Sequence, residues 1–318
     1  MKNDHVIRIG ISACLLGQKV RYDGGHKHDR YLTDTLGDYF EWVPVCPEME
    51  LGLGIPRPTM RLEQHEGGTR LIVPDSGCDL TVPMSRYSST KVEELAAAEL
   101  CGYILKSDSP SCGMERVRIY GRGGMPARKG RGLFAAALLE RIPQLPVEEE
   151  GRLCDPRLRE NWIERVFAFS RLRSLCSRKW TTGDLVGFHT AHKLAVLAHS
   201  PEAYRTLGRI VARSGSVPGR ELKALYQQEF MGSLKTIATS GRHANVLQHM
   251  AGYFKRDLDE ASRKELADLI EDYRKGQIPL IVPVTLIRHY VRRFDVSYLA
   301  GQTYLNPHPK ELALRNHV

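Results

Sequence analysis

No stretch of this chain stays apolar for the roughly 18–20 residues that span a bilayer, so no transmembrane helix is expected. The first ten residues carry Asp4, His5 and Arg8 and lack an apolar core, so no secretory signal is expected either. There is no CxxC pair, which argues against a zinc ribbon or a thioredoxin-type site. The seven cysteines are odd in number and thinly spread over 318 residues, unlike a disulfide framework. Internal repeats and low-complexity tracts are absent as well. The expectation is a cytoplasmic protein that does not engage a membrane.

What is present is the composition of a folded chain, 42% hydrophobic and 26% charged, long enough for two domains. Charge is uneven along it. Residues 1–150 hold 19 Lys and Arg against 21 Asp and Glu, whereas residues 151–318 hold 27 against 16. An anionic polymer would therefore bind the second half.

Strand-like and helix-like segments alternate in the first half. Residues 6–12, 41–45, 71–73, 102–106 and 116–120 read as strands, and 91–100 (KVEELAAAEL) and 132–141 as helices. That alternation predicts an α/β class, a Rossmann-like, largely parallel sheet. From Pro156 the pattern turns almost wholly helical, with Trp162, Val166, Phe169 and Leu172 at helical spacing and Gly215, Pro218, Gly241, Gly276 and Pro279 as breakers. The run VEEEGRLCDP reads as an exposed acidic linker, giving domains 1–148 and 149–318, the second all-α.

Cysteine position is more informative than cysteine number. Cys14 and Cys46 each follow a predicted strand, and Cys112 lies in the polar loop SDSPSCG after another. In a parallel sheet those loops gather along one edge, where ligands bind. Three thiolates meeting there suit three irons of a [4Fe–4S] cluster and leave the fourth open. Cys101 precedes its strand and so falls about 17 Å from that edge. Cys78 also follows a predicted strand and is a rival, whereas Cys154 and Cys176 read as structural. Buried structural cysteines and a zinc site are the other readings of the spacing. Glu48, two residues after Cys46, and Ser107, Asp108, Ser109 and Ser111 beside Cys112 would put acid–base groups next to a Lewis acid. A first-turn helix carboxylate and ordinary turn chemistry are the structural alternatives for the same residues.

The segments ISACLLGQKVRYDGG (residues 11–25), VCPEMELGLGIPRP (45–58) and LKSDSPSCG (105–113) resemble the signature segments of TudS-type thiouracil desulfidases. TTGDLVGFHTAHKLAVLAHSPEAY (181–204) resembles the helical YbgA-type domain. Together the halves resemble two-domain transfer RNA 2-thiouridine desulfidases, in which the helical part is held to bring RNA to the cluster. The resemblance implies a [4Fe–4S] cluster on Cys14, Cys46 and Cys112, with catalytic roles for Glu48 and Ser109 and assistance from Asp108. After CPE the segment EMELGLGIPRP departs from the commoner glycine-richer turn, which makes Glu50 a competitor for the role of Glu48.

The expected reaction is desulfidation of a 2-thiouracil base in a single-stranded transfer RNA loop, where bases are already partly unstacked. Phosphate contacts are expected from Arg122, Arg128, Lys129 and Arg131 in the glycine-rich loop GRGGMPARKGRG. Further contacts are expected in the second half from Arg178, Lys179, Arg205 and Arg209, with Arg171, Arg173, Arg213, Arg288, Arg292 and Arg293 also candidates. His189, His192 and His199 share a helix face within about 80°. His199 is nevertheless about 15 Å along the axis from His189, too far for one ion; RNA contact or packing is expected instead. Two other functions fit the same residues: a desulfidase of free thiouracil or another small thioamide whose helical domain serves oligomerisation, and a cluster-carrying RNA-binding protein without turnover.

Overall fold

The computed structural model describes residues 6–121, 125–215 and 219–317. The chain divides into two compact units, Met1–Cys154 and Asp155–Val318. Among the described residues, the first unit carries strands β1 (Arg8–Ser12), β2 (Glu41–Val45), β3 (Arg61–His65), β4 (Gly68–Val73), β5 (Cys78–Asp79), β6 (Gly102–Leu105), β7 (Val117–Tyr120), β8 (Pro126–Gly130) and β9 (Val147–Glu149). Its helices are α1 (Pro47–Glu50), α2 (Thr81–Ala97) and α3 (Leu133–Arg141).

The sheet that organises this unit has the order β2-β1-β6-β9, with every pairing parallel. Its strands β1 and β6 are buried almost end to end, as the apolar runs RIGIS and GYIL require of a sheet covered on both faces. Ser12 pairs with Val45 and Ile11 with Ile104, so β1, β2 and β6 end at one level. β2 lies on one side of β1 and β6 on the other, which makes the gap above β1 a topological switch point.

A second, mixed sheet of order β5-β4-β3-β7-β8 accompanies the first, antiparallel except between β3 and β7. Leu62, Leu71, Met84, Val117 and Ile119 form its core. Three features differ from the sequence expectation. β3 (RLEQH) and β8 (PARKG) are polar strands without an apolar period, and β8 occupies part of what reads as a flexible glycine loop. Helix α2 starts at Thr81 instead of Lys91, because Ser88 stands fully buried in a stripe otherwise made by Met84, Val92 and Leu95. The acidic run is not an exposed linker: β9 is buried, with Glu148 and Glu149 only 5% and 6% exposed. Glu148 is paired with Arg152 at 2.6 Å, and Glu149 accepts the Met114 N–H at 2.7 Å, so both carboxylates stay satisfied inside.

The second unit consists of α4 (Pro156–Cys176), α5 (Thr182–His199), α6 (Pro201–Ala212), α7 (Gly219–Leu234), α8 (Ser240–Ala251), α9 (Glu260–Arg274), α10 (Ile281–Arg293) and α11 (Ser297–Ala300) among the described residues. Asp155 caps α4 by accepting the Arg157 and Leu158 N–H groups, with Pro156 in the first turn. Thr181 and Asp184 form a reciprocal capping box on α5. Leu247, Met250, Phe254, Ile270, Ile287, Leu299 and Tyr304 lie in the core that α8, α9 and α10 share with the C-terminal segment. Among the described residues no helix is long and apolar enough to cross a membrane.

The three histidines of α5 pack inside this unit. His192 is buried, bonded at Nδ1 to the Phe188 carbonyl and accepting from Arg171 Nε at 3.1 Å. His199 Nδ1 lies 2.7 Å from the Thr236 carbonyl and its Nε2 lies 3.5 Å from Glu164, while His189 meets the Tyr226 hydroxyl. Arg171 is consumed by the same packing, donating also to the Pro307 carbonyl, and is not free for RNA. Nearby, Arg315, 3% exposed, holds Glu160 at 3.1 Å and donates to the Tyr304 carbonyl.

Burial holds His192 and His243 down near pKa about 3, whereas in the unfolded chain each takes up a proton near pH 6.5. Burial itself disfavours the charged forms of Glu160 and Glu164, but His317, His199 and Arg315 outweigh it and hold both carboxyls below the usual range. Stability from the two depressed histidines is therefore present above about pH 6.5 and lost as pH falls, and that from the carboxylates is lost below about pH 4.5. His199, raised above 6.5 by Glu164, opposes the first loss in part. The melting temperature should fall from pH 7 to pH 4, and His243→Gln should flatten the upper part of that dependence; thermal melts across the range check both.

Candidate functional site

The loops leaving β1, β2 and β6 enclose a cavity of about 390 Å³ lined by Cys14, Cys46, Glu48, Asp108, Ser109 and Cys112 among others. Each thiol arrives by its own local device. After β1 the chain makes one tight turn (Ala13–Leu16) that stops at Gly17, whose φ of 84° suits glycine and whose N–H returns to the Cys14 carbonyl. Cys46 stands at the N-cap position of α1, with Pro47 in the first turn. Cys112 sits in a loop whose amide is held by Ser109 Oγ at 3.1 Å. Ser12 Oγ accepts the Lys106 N–H at 2.9 Å and so ties the end of β1 to the end of β6.

The two glutamates after Cys46 separate cleanly. Glu50 accepts the Cys46 N–H at 3.3 Å and pairs with Lys91 at 2.8 Å, serving the helix end and α2, and it does not line the cavity. Glu48 is buried and lines the cavity; its Oε2 accepts from Cys46 Sγ at 3.5 Å and its Oε1 from Ser111 Oγ–H. Ser111 in turn stands 2.9 Å from Ser109 Oγ, forming a hydroxyl chain from Glu48 to Ser109. Ser111 is fully buried; of its two sequence readings, a hydroxyl beside Cys112 or a turn serine, its bonds to Glu48 and Ser109 accord with the first. Asp108 lies at the rim, its carboxylate 3.4 Å from Arg128.

Burial raises all three thiols above their ordinary pKa: Cys14, where Lys106 and Arg21 pull the other way; Cys46, pushed up to about 12 with Glu48 adding; and Cys112, again with Glu48 adding. Cationic side chains surround the mouth, since Arg21, Lys27, Arg57 and Lys106 also line the cavity. Arg57 is fixed on the Val20 and Gly54 carbonyls, each at 3.0 Å. Lys106 is held by Glu150, which also accepts the Ser107 N–H at 2.8 Å. Glu150 was missed in sequence because it belongs to the acidic run read as linker.

The remaining cysteines lie elsewhere. Cys101 is buried ahead of β6, Cys78 is exposed on β5 in the second sheet, Cys154 is exposed, and Cys176 ends α4. None of them lines the cavity. Among the described residues no three His, Cys, Asp or Glu side chains are gathered tightly enough for one metal ion. Of the expected RNA contacts, Arg122 lies outside the described residues. Arg128 and Lys129 are exposed on β8, and exposed Arg131 donates to the Met114 carbonyl. Arg178 pairs with Asp184 at 3.2 Å, Lys179 and Arg205 are exposed, and Arg209 reaches Thr206 Oγ1.

Residues 9–150 match the family model described as 2-thiouracil desulfurase, and residues 193–309 match DUF1722, a protein family of unknown function. The uncharacterized protein YbgA of Escherichia coli (strain K12) is 35% identical over 161 residues, 50% of this chain and 95% of YbgA. The uncharacterized protein YbbK of Bacillus subtilis (strain 168) is 34% identical over 138 residues, 40% of this chain and 87% of YbbK. A solved structure described as the [4Fe-4S]-dependent thiouracil desulfidase TudS is 36% identical, covering 47% of this chain and 94% of its own, with a TM-score of 0.38.

The clamp made by Glu150 gives a direct test of the loop's support. Glu150→Gln weakens charge-assisted bonds to Lys106 and Ser107 and should cost about 2 kcal/mol of stability. Chemical denaturation reads that loss, and Cys112 should react faster with a thiol reagent under native conditions.

Proposed function

The chain belongs to the 2-thiouracil desulfurase family through residues 9–150, and from that premise we propose that it removes the sulfur of 2-thiouracil bases in transfer RNA, using a [4Fe–4S] cluster in the cytoplasm. The observation that carries the reading is the meeting of Cys14, Cys46, Cys112 and Glu48 around one cavity at the edge of the parallel sheet. The donor set fits the cofactor. Three thiols suit iron–sulfur iron, and a cluster, whose irons occupy separate corners, needs its thiolates further apart than ligands of a single ion. When bound, such a cluster supplies one open iron as a soft Lewis acid for a thiocarbonyl sulfur.

The chain's own groups then divide the work. Glu48 takes a proton from water, and the water oxygen adds to the thiocarbonyl carbon. Ser111 fixes the Glu48 carboxylate through Oε1, while Oε2 stands 3.5 Å from Cys46 Sγ. Ser109, at the other end of the hydroxyl chain, hydrogen-bonds the base and hands on a proton as the C–S bond breaks. Oxygen replaces sulfur, sulfide departs, and no net electron transfer is needed. Asp108 assists at the rim. A polyanionic substrate is supported by Arg21, Lys27, Arg57 and Lys106 around the cavity and by the 27 basic against 16 acidic residues of the second half.

Sulfide release from thiolated transfer RNA tests the proposal, with nucleoside analysis reading the loss of 2-thiouridine. Cys112→Ser should abolish both the brown chromophore and turnover. Glu48→Ala should keep the colour and lose about 10²–10⁴-fold in rate. Full activity from cluster-free protein would overturn the chemistry, and turnover confined to free thiouracil would overturn the transfer RNA assignment.

A further inference from the structure

The helical unit carries a half-exposed aromatic stack. Tyr253, in the turn after α8, is 43% exposed and is the one aromatic among the described residues of this unit that stands so far out. It stacks on Tyr298 of α11 with ring centroids 5.1 Å apart and planes 19° from parallel. Lys193 of α5 places its ammonium 4.8 Å from the Tyr298 ring centre, and exposed His249 of α8 meets Tyr253 edge-on at 6.1 Å. The two tyrosines come from segments far apart in sequence, yet both are set rigidly: each is followed directly by a fully buried side chain, Phe254 and Leu299.

We propose that Tyr253, backed by Tyr298 and Lys193, is a stacking platform for an unpaired base of the RNA substrate. The inference rests on the transfer RNA reading above and names the surface that serves it. A flat ring held in place by a second ring loses little freedom when a base covers it, and every base offers a π-face. Cations stand ready for the backbone: Lys193 lies against the Tyr298 ring, and exposed Lys255 and Arg256 follow Tyr253 in sequence. The same segment also carries exposed Asp257 and Asp259, the latter capping α9 by accepting the Ser262 N–H at 2.7 Å. Ring faces flanked by cations are what single-stranded nucleic acid uses, the rings for its bases and the cations for its phosphates.

The test compares wild type, Tyr253→Ala and Tyr253→Phe in binding total transfer RNA and a short oligouridylate, alongside turnover of free 2-thiouracil. Tyr253→Ala should weaken both RNA affinities about tenfold to a hundredfold. Tyr253→Phe, which keeps the ring, should stay within about twofold, and free thiouracil turnover should be unchanged in both variants. Wild-type RNA affinity in Tyr253→Ala, or an equal loss in Tyr253→Phe, would overturn the platform while leaving the transfer RNA reading intact. Absence of RNA binding by the wild-type protein would instead overturn that reading, and the platform with it.

Discussion

The parallel pairing of β1 with β2 on one side and β6 on the other is the constraint on which the site depends. It brings three chain segments to one level and turns each into a loop over the same gap. The hydrogen bond from the Lys106 amide to Ser12 Oγ then fixes two of those loops against each other beyond the last sheet contacts. Cysteines separated by 32 and 66 residues line one cavity for this reason, without any local ligand spacing. A ligand set assembled this way has no compact sequence signature; its signature is topological.

That explains which parts were legible in the sequence. Strands β1 and β6 are visible in a one-dimensional reading, because burial on both faces writes a continuous hydrophobic run; half-exposed β2 shows instead by its short aromatic and β-branched run. Cys101 could be set aside by its place before the strand, and the structure puts it outside the cavity. Polar strands such as β3 and β8 were invisible, since their stability comes from neighbours in a second sheet and not from their own pattern. Ser88 and Ser111 are ambiguous in sequence for a related reason. Both are fully buried, and a buried serine is indistinguishable from a turn serine until its neighbours are known.

Charge reading failed in the same way at the acidic run. Three glutamates in succession look solvated, yet each meets a different partner: Arg152, the Met114 amide and Lys106. Burial of carboxylates is tolerable when each has a donor within hydrogen-bond reach, and here the donors come from loops that need fixing. Glu48 and Glu50 make the complementary point. Two residues apart on one short helix, they face opposite tasks, one turned to the cavity and one spent on the helix end and Lys91.

The place of β9 at the outer edge of the parallel sheet has a practical corollary for anyone wishing to study the two halves apart. A cut at the 148/149 boundary expected from the sequence would clip the edge strand at Glu149 and strip Lys106 of its counter-charge, Glu150, so the severed piece would be a damaged fold and a poor guide to the whole. A cleavage point that respects the architecture lies beyond Cys154, where the compact units part.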